Sequence, residues 1–399
     1  MMDSFTHCSV LLDMRITQIA MRERGIPRYA SALGLALPEQ MPGAQIAYLI
    51  DPTAPLPDAI EALRQKGRIV EGSTQINSLP RLTHYLQTCV FELHKNADEL
   101  FPAELARFKP RLSAIVYDVI PWLYPEHYLT DPYIARRYQY QLGLLGCLDR
   151  LFAISESARE DVIRVAQLEP GRVQNIYGGI DQTRWTQTGQ LPVTDGPLEI
   201  VNDEGKRFSV NRPYWLYVGG ADFRKNNSGL VRAFARLKAE LSKQDAVPVT
   251  LVVACALSVL QRDELLRLGK AHGLQPGRDL VITGYISDTL LAHLYRHAFA
   301  TVFPSHYEGL GLPVLESYHF GVPALASNNS SLREITHPAC QFDSNSVTDI
   351  ADAMLRMHRQ PQLRAQSLEF GREVLVQCSW SQAAFKVAQY MNTRSLRSN

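Results

Sequence analysis

Phe303-Pro304-Ser305-His306-Tyr307-Glu308-Gly309-Leu310-Gly311-Leu312-Pro313-Val314-Leu315-Glu316 is the stretch on which the fold turns. The apolar run 300–303 reads as a strand ending at Phe303. A glycine-rich turn follows, and a helix starts near Pro313, since proline suits the first helical position, where no N–H bond is lost. Gly309 and Gly311 let the backbone come close to a ligand. Leu310 and Leu312 complete the turn into the helix, whose start offers unpaired N–H groups and a positive dipole end suited to phosphate. Glu308 lies in the loop and Glu316 in the first turns of the helix, with seven residues between them. Carboxylates so placed can accept hydrogen bonds from sugar hydroxyls on either side of a pyrophosphate. The same string also describes a capped strand-to-helix turn with two exposed glutamates, so its context decides.

That context is an alternation of β-branched runs and helical patterns along the whole chain. Residues 10–13, 45–50, 113–119 and 151–154 read as strands, with helical periodicity over 27–37 and 156–166. A second series has strands at 214–218, 247–255, 280–285, 300–303 and 322–326. Helices are expected between them at 227–241, 259–272, 288–296 and 314–320. Such alternation implies parallel sheets with crossover helices. Residues 181–212 are polar and carry Gly189, Pro192, Gly196, Pro197 and Gly205, which reads as a linker. The expected organisation is therefore α/β, with two Rossmann-like, doubly wound domains facing a central cleft. The domains are placed at 1–195 and 196–378. A final helix in 379–399, carrying Trp380, Phe385, Val387 and Tyr390, is expected to pack back on the first domain.

At about 150 residues per domain, the 399 residues suit this division. Hydrophobic residues make up 46% and charged ones 20%, enough apolar material for two cores. Lys plus Arg number 41 and Asp plus Glu 40, a balance that argues against a nucleic-acid partner. The six cysteines have no C-x-x-C or zinc spacing and read as free thiols of a reducing compartment. Asp3, His7 and Asp13 interrupt any signal-like run, and the apolar stretch 249–260 is too short to span a bilayer. A cytoplasmic protein is expected, with a peripheral position on the inner membrane face left open.

The Glu308–Glu316 segment resembles the E-x7-E signature of retaining glycosyltransferases of family 4, which have the GT-B fold. Tyr217-Val218-Gly219-Gly220-Ala221-Asp222-Phe223-Arg224-Lys225-Asn226 resembles that family's strand–glycine–R-K-N segment, and residues 324–342 its next strand and loop. Arg24-Gly25-Ile26-Pro27-Arg28-Tyr29 is similar to an R-G-I-G-R-Y loop, with Pro27 in place of a glycine and one N–H donor fewer. Tyr117-Asp118-Val119-Ile120-Pro121 and Tyr124-Pro125-Glu126 resemble the H-D-L-I-P…Y-P-E segment of polysaccharide mannosyl- and rhamnosyltransferases. Tyr117 stands where many relatives have His, and a neutral phenol is no base near pH 7.

The resemblance implies a retaining hexosyltransferase. It would move a mannose-, rhamnose- or glucose-type sugar from a nucleotide sugar to a glycan or lipid-linked acceptor. GDP-mannose and dTDP-rhamnose fit best as donors, with UDP-hexoses behind. Arg224 and Lys225, following a strand and the Gly219–Gly220 turn, offer a planar fork and a point charge to the diphosphate. The resemblance implies that Glu308 binds hydroxyls of the transferring sugar, Glu316 the ribose, and Asp118 the sugar or acceptor. Gly25, Gly309, Leu310, Gly311 and Leu312 line the donor, while Arg28 and Tyr117 are acceptor-side candidates. No D-x-D occurs in the chain, and His293 and His297 lack the H-E-x-x-H glutamate, so no metal or other cofactor is expected. His306 is a candidate for the cleft wall. The Arg136–Arg137 pair, among Tyr133, Tyr138 and Tyr140, reads as a solvated helix face or a contact to an anionic lipid. Two other functions stay open: a non-catalytic GT-B subunit that binds a sugar nucleotide, and a nucleotide-sugar epimerase.

Overall fold

A computed structural model describes residues 5–19, 25–92, 95–186, 197–202, 205–243 and 249–393. The chain divides into two compact units, Met1–Gly179 with Cys378–Asn399, and Ile180–Gln377.

The first unit is built on seven parallel strands: β1 Ser9–Asp13, β2 Gln45–Ile50, β3 Arg68–Glu71, β4 His84–Gln87, β5 Arg111–Val116, β6 Arg150–Ala153 and β7 Val173–Asn175. Their order in the sheet is β3-β2-β1-β4-β5-β6-β7. The central strands are buried throughout, as expected for a sheet covered by helices on both faces. The reading of 113–119 as a strand overshoots, because β5 ends at Val116 and Val119 already precedes the short helix Ile120–Leu123.

The last helix, Trp380–Asn392, belongs to this unit. Its buried stripe is Ala383, Ala384, Val387, Ala388 and Met391, at three- and four-residue spacing. Trp380 meets Tyr29 edge-on with ring centroids 4.7 Å apart. Gly179 permits this packing, since a Cβ there would lie 2.8 Å from the Trp380 amide. Phe385, expected to need burial, falls on the outer face and is 45% exposed.

The second unit holds β10 Tyr214–Val218, β11 Thr250–Ala254, β12 Leu280–Ile282, β13 Ala300–Phe303, β14 Ala324–Ser327 and β15 Gln341–Phe342. They form a parallel sheet in the order β12-β11-β10-β13-β14-β15. A separate antiparallel hairpin, β8 Leu198–Val201 with β9 Arg207–Val210, precedes it.

That hairpin corrects the reading of 181–212 as a linker. Leu198, Ile200 and Val210 point into the second unit's core, while Glu199 and Val201 face outwards. Four-residue strands broken by Gly205, at φ +76°, are too short to stand out among polar neighbours. The first crossing between units also falls at Gly179–Ile180 rather than at 195/196. Trp185 is 3% exposed and packs in the second core with Leu198, Ile200 and Tyr295. Residues 187–196 of the expected linker lie outside the described residues, as do 247–248 of the expected strand 247–255 and 394–399 of the tail.

In the second unit the order of strands reverses between β10 and β13, which pair in parallel through Trp215 with Ala300 and Leu216 with Thr301. Open α/β sheets bind ligands outside the carboxyl ends of the strands at such a switch point. The loops leaving β10 and β13 are the two that carry Arg224, Lys225 and Glu308.

Candidate active site

The β10 loop is shaped by local backbone demands. A Cβ on Gly219 would sit 2.4 Å from the hydroxyl oxygen of buried Tyr217, so only glycine fits. Asp222 caps the 3₁₀ turn Phe223–Lys225 by accepting the Arg224 N–H. Asn226, at φ +52°, turns the chain into the helix Asn227–Leu241 and accepts the Gly229 N–H. Arg224 and Lys225 are thereby held on a single turn of backbone at the end of β10.

The β13 loop brings Glu308 to them. Lys225 Nζ lies 2.5 Å from Glu308 Oε1, and Arg224 Nη1 lies 2.9 Å from Oε2. Ser305 donates its hydroxyl to Oε1 at 2.7 Å. The loop itself is pinned by Ser330, whose hydroxyl oxygen accepts the Glu308 N–H at 3.0 Å, and by Ser331, which donates to the Glu308 carbonyl at 2.9 Å. The Glu308 side chain is 12% exposed. Burial by itself would push its carboxyl pKa up; the charges of Lys225 and then Arg224 outweigh burial and hold it below the usual value.

Gly311, at φ +90°, is the N-cap of the helix Leu312–His319, with Pro313 in its first turn. A Cβ at Gly311 would lie 2.8 Å from Leu332 Cδ2 and 3.1 Å from Ile335 Cδ1. Both the left-handed backbone and the close approach require glycine. Gly309 and Leu310 are buried beneath the turn. A recess here is lined by Lys225, Ser305, Glu308, Gly311 and Pro313 over a floor that includes Tyr217.

Glu316 is in a different cluster from Glu308. Its Oε1 lies 3.2 Å from Arg184 Nη1, and its Oε2 accepts the Tyr295 hydroxyl at 2.9 Å. Burial and, next, the Glu316 charge hold the Tyr295 phenol far above its ordinary pKa, so it remains a donor. Arg184, Tyr295 and Asp288 were missed by reading the sequence. Arg184 is 132 residues from Glu316 in the chain, and its only local mark is its place beside Trp185 after Gly178-Gly179.

The remaining candidates of the second unit are placed as follows. The His306 N–H donates to the Arg224 carbonyl at 2.6 Å, and its ring Nδ1 lies 3.3 Å from Ser344 Oγ, so it braces the β10 loop. His293 and His297 stand edge-on with ring centroids 4.6 Å apart. Among the described residues no group of three or more His, Cys, Asp or Glu side chains converges as metal ligands do.

Asp118, Tyr117, Gly25 and Arg28 belong to the first unit. Asp118, after β5, accepts the Ile120 N–H at 3.0 Å and so starts the helix Ile120–Leu123. Tyr117, directly after β5, is 7% exposed and donates its hydroxyl to the Thr88 carbonyl at 3.0 Å. Gly25 is the first described residue of the helix Gly25–Gln40, which also carries Pro27 and Arg28, and among the described residues no atom beyond its chain neighbours and its own helix backbone lies within 4 Å of where a Cβ would be. Arg24 lies outside the described residues. Arg137 donates to Asn96 Oδ1 at 2.7 Å, which ties its helix to the 95–96 segment, while Arg136 is exposed.

Two doubly wound parallel units, the second with a carboxylate–arginine–lysine cluster at its switch point, are the GT-B architecture. Residues 201–374 match the family described as Glycosyl transferases group 1. The chain is 27% identical over 378 residues to the serotype-specific mannosyltransferase WbdA of Escherichia coli, covering 86% of this chain and 43% of that protein. It is 32% identical over 168 residues to the O-antigen chain mannosyltransferase B of Escherichia coli, covering 42% of each. The chain thus spans less than half the length of these two curated relatives. Among solved structures, the sucrose-phosphate synthase of Thermosynechococcus elongatus superposes with a TM-score of 0.66 at 18% identity, over 96% of this chain and 98% of that one. Residues 201–374 thus resemble the group 1 glycosyltransferases, the fold is GT-B, and the chain is similar to polysaccharide mannosyltransferases.

Proposed function

We propose that the protein is a retaining hexosyltransferase that moves mannose from GDP-mannose to a glycan or lipid-linked acceptor. dTDP-rhamnose is the second donor to test, and UDP-glucose the third. The observation that carries this reading is the Arg224–Glu308–Lys225 cluster at the end of β10 and β13. The mannosyltransferase relatives favour the mannosyl donor.

In this reading the charges of Arg224 and Lys225 bind the diphosphate, and the start of the helix Leu312–His319 adds its dipole. Glu308 accepts hydrogen bonds from the transferring sugar and Glu316 from the ribose. Double displacement needs a carboxylate nucleophile at the anomeric carbon. Glu308 is a weak one, since two cations hold it ionised and lower its basicity. Front-face transfer fits better. The bond from the anomeric carbon to the diphosphate oxygen breaks, and its electron pair leaves with the diphosphate. The acceptor oxygen bonds to the same face, and its proton passes to the departing phosphate. Catalysis then rests on positioning and on cations facing the growing phosphate charge. No divalent metal is required. The six cysteines are free thiols, five of them buried, which suits a reducing compartment. Among the described residues no helix is long and apolar enough to cross a membrane. We therefore place the activity in the cytoplasm, against the membrane face when the acceptor carries a lipid.

The test is a transfer assay with GDP-mannose, dTDP-rhamnose and UDP-glucose in the presence of EDTA, with product configuration read by NMR. Mannosyl transfer with retained configuration is expected. Nucleotide binding without turnover of any donor would instead favour the non-catalytic subunit, and donor interconversion without acceptor the epimerase.

A further inference from the structure

The helix Gln182–Thr186 begins two residues after Ile180, where the chain enters the second unit. Trp185 anchors it in the core and meets Phe320 edge-on, with ring centroids 5.1 Å apart. Arg184 lies over the Trp185 ring, with Cζ 4.1 Å from the centroid. Its guanidinium uses both edges. On one side Nε and Nη2 reach the two oxygens of Asp288 at 2.7 and 2.5 Å, a bidentate fork. On the other, Nη1 reaches Glu316 Oε1 at 3.2 Å.

A surface ion pair would need only the first of these contacts. The second is directed at a side chain only 13% exposed, whose other oxygen is held by Tyr295. Tyr295 is itself fixed, fully buried and stacked on Phe320 at 5.3 Å and 11°. Each oxygen of Glu316 therefore has a rigid donor, and the carboxylate has one orientation. Without Arg184, Asp288 and Glu316 would keep their charges with the bridging cation gone, and Tyr295 alone would not define the rotamer.

From this geometry we infer that Arg184 is a positioning residue for the donor: braced by Asp288 and Trp185, it sets the Glu316 carboxylate for the ribose hydroxyls. The inference rests on the reading, proposed above, that Glu316 takes the ribose. It requires the site to distinguish ribonucleoside from 2′-deoxyribonucleoside diphosphates, and it requires Arg184 to carry that distinction without touching the nucleotide.

The experiment is calorimetric titration of the full chain with GDP and 2′-deoxy-GDP, with UDP and 2′-deoxy-UDP in parallel. Folding of every variant is checked by circular dichroism and melting temperature. Wild type should prefer the ribonucleotide by about tenfold, the value of one hydrogen bond to a charged group. Arg184→Gln should weaken GDP binding about tenfold and bring the ribo-to-deoxy ratio close to one. Arg184→Lys, which keeps the charge but not the fork, should recover part of both. Asp288→Asn removes the brace at a side chain 38% exposed and should lower the ratio less than Arg184→Gln. It serves as the second variant should Arg184→Gln not fold. In steady state, Arg184→Gln should raise KM more than it lowers kcat. A folded Arg184→Gln, or Asp288→Asn if that is the one that folds, with the wild-type ratio overturns the inference. A wild type that binds nucleotide without preferring ribose overturns the Glu316 reading, and this inference with it. A wild type that binds neither GDP nor UDP overturns the GDP-mannose reading of the proposed function.

Discussion

Glu308→Gln tests the centre of the site most directly. The carboxylate receives Lys225 at 2.5 Å, Ser305 at 2.7 Å and Arg224 at 2.9 Å. Glutamine keeps the size, removes the charge, and turns one oxygen into an amide NH₂ that faces a cationic donor. Removing one partner from a buried ion pair costs about 3–5 kcal/mol. The side chains of Arg224 and Lys225 are 22% and 16% exposed, so water relieves part of this. The expected loss is about 1–3 kcal/mol. For a unit of this size that lowers the melting temperature by about 2–12 °C. Pyrophosphate should raise the melting temperature of the variant more than that of wild type, because the bound anion supplies the missing charge. In transfer, kcat should fall about 100-fold, since the lost contact tightens as the sugar gains positive charge. Scanning fluorimetry with and without pyrophosphate, and steady-state kinetics with the correct donor, read all three effects. An unchanged melting temperature together with unchanged kcat would refute the assignment, and a change confined to KM would move Glu308 from the sugar to the nucleotide.

Other outcomes follow from the same geometry. Glu316→Gln should raise the donor KM more than it lowers kcat, because the ribose does not change during bond cleavage; kinetics on both glutamine variants distinguishes the two roles. Lys225→Ala should weaken nucleoside diphosphate binding by about 1.5–3 kcal/mol, measured by calorimetry, and equal affinity would remove Lys225 from the phosphate site. Gly311→Ala should destabilise the second unit by about 1–3 kcal/mol in urea unfolding, through a strained backbone and the contact with Leu332. His84, 5% exposed in β4, has its pKa lowered to about 4, chiefly by burial and then by Arg111. The unfolded chain therefore binds a proton there before the folded one does. Stability is whole above about pH 6.5 and declines towards pH 4, by up to about 1.4 kcal/mol per pH unit from this group. His84→Gln should flatten that part of the curve in pH-dependent denaturation, and an unaltered slope would assign the acid loss to other histidines.

Much of the fold was legible locally. Buried parallel strands are short apolar runs, and 45–50, 214–218 and 300–303 coincide with β2, β10 and β13. The turn before Glu316 was legible too, because Gly311 and Pro313 meet backbone requirements imposed within a few residues. The same holds for Arg224 and Lys225, whose place after β10 depends on the adjacent glycine and capping aspartate. What the sequence by itself determined was therefore what one strand, one turn or one helix end can require of its own residues.

The rest was decided by tertiary structure. The hairpin β8–β9 has too few apolar residues to announce itself and gains its core only against Trp185, the strands β10, β11 and β12, and the helix Asp288–His297. The Tyr117 hydroxyl is taken by the Thr88 carbonyl, 29 residues away, which no local pattern signals. The two glutamates of one motif acquired different partners, Glu308 from the β10 loop and Glu316 from Arg184 and Tyr295. Periodicity reports which face of an element is apolar. It carries no information on which charged side chain, brought from far along the chain by the order of strands, will meet a given carboxylate, because that pairing exists only once the sheet has assembled.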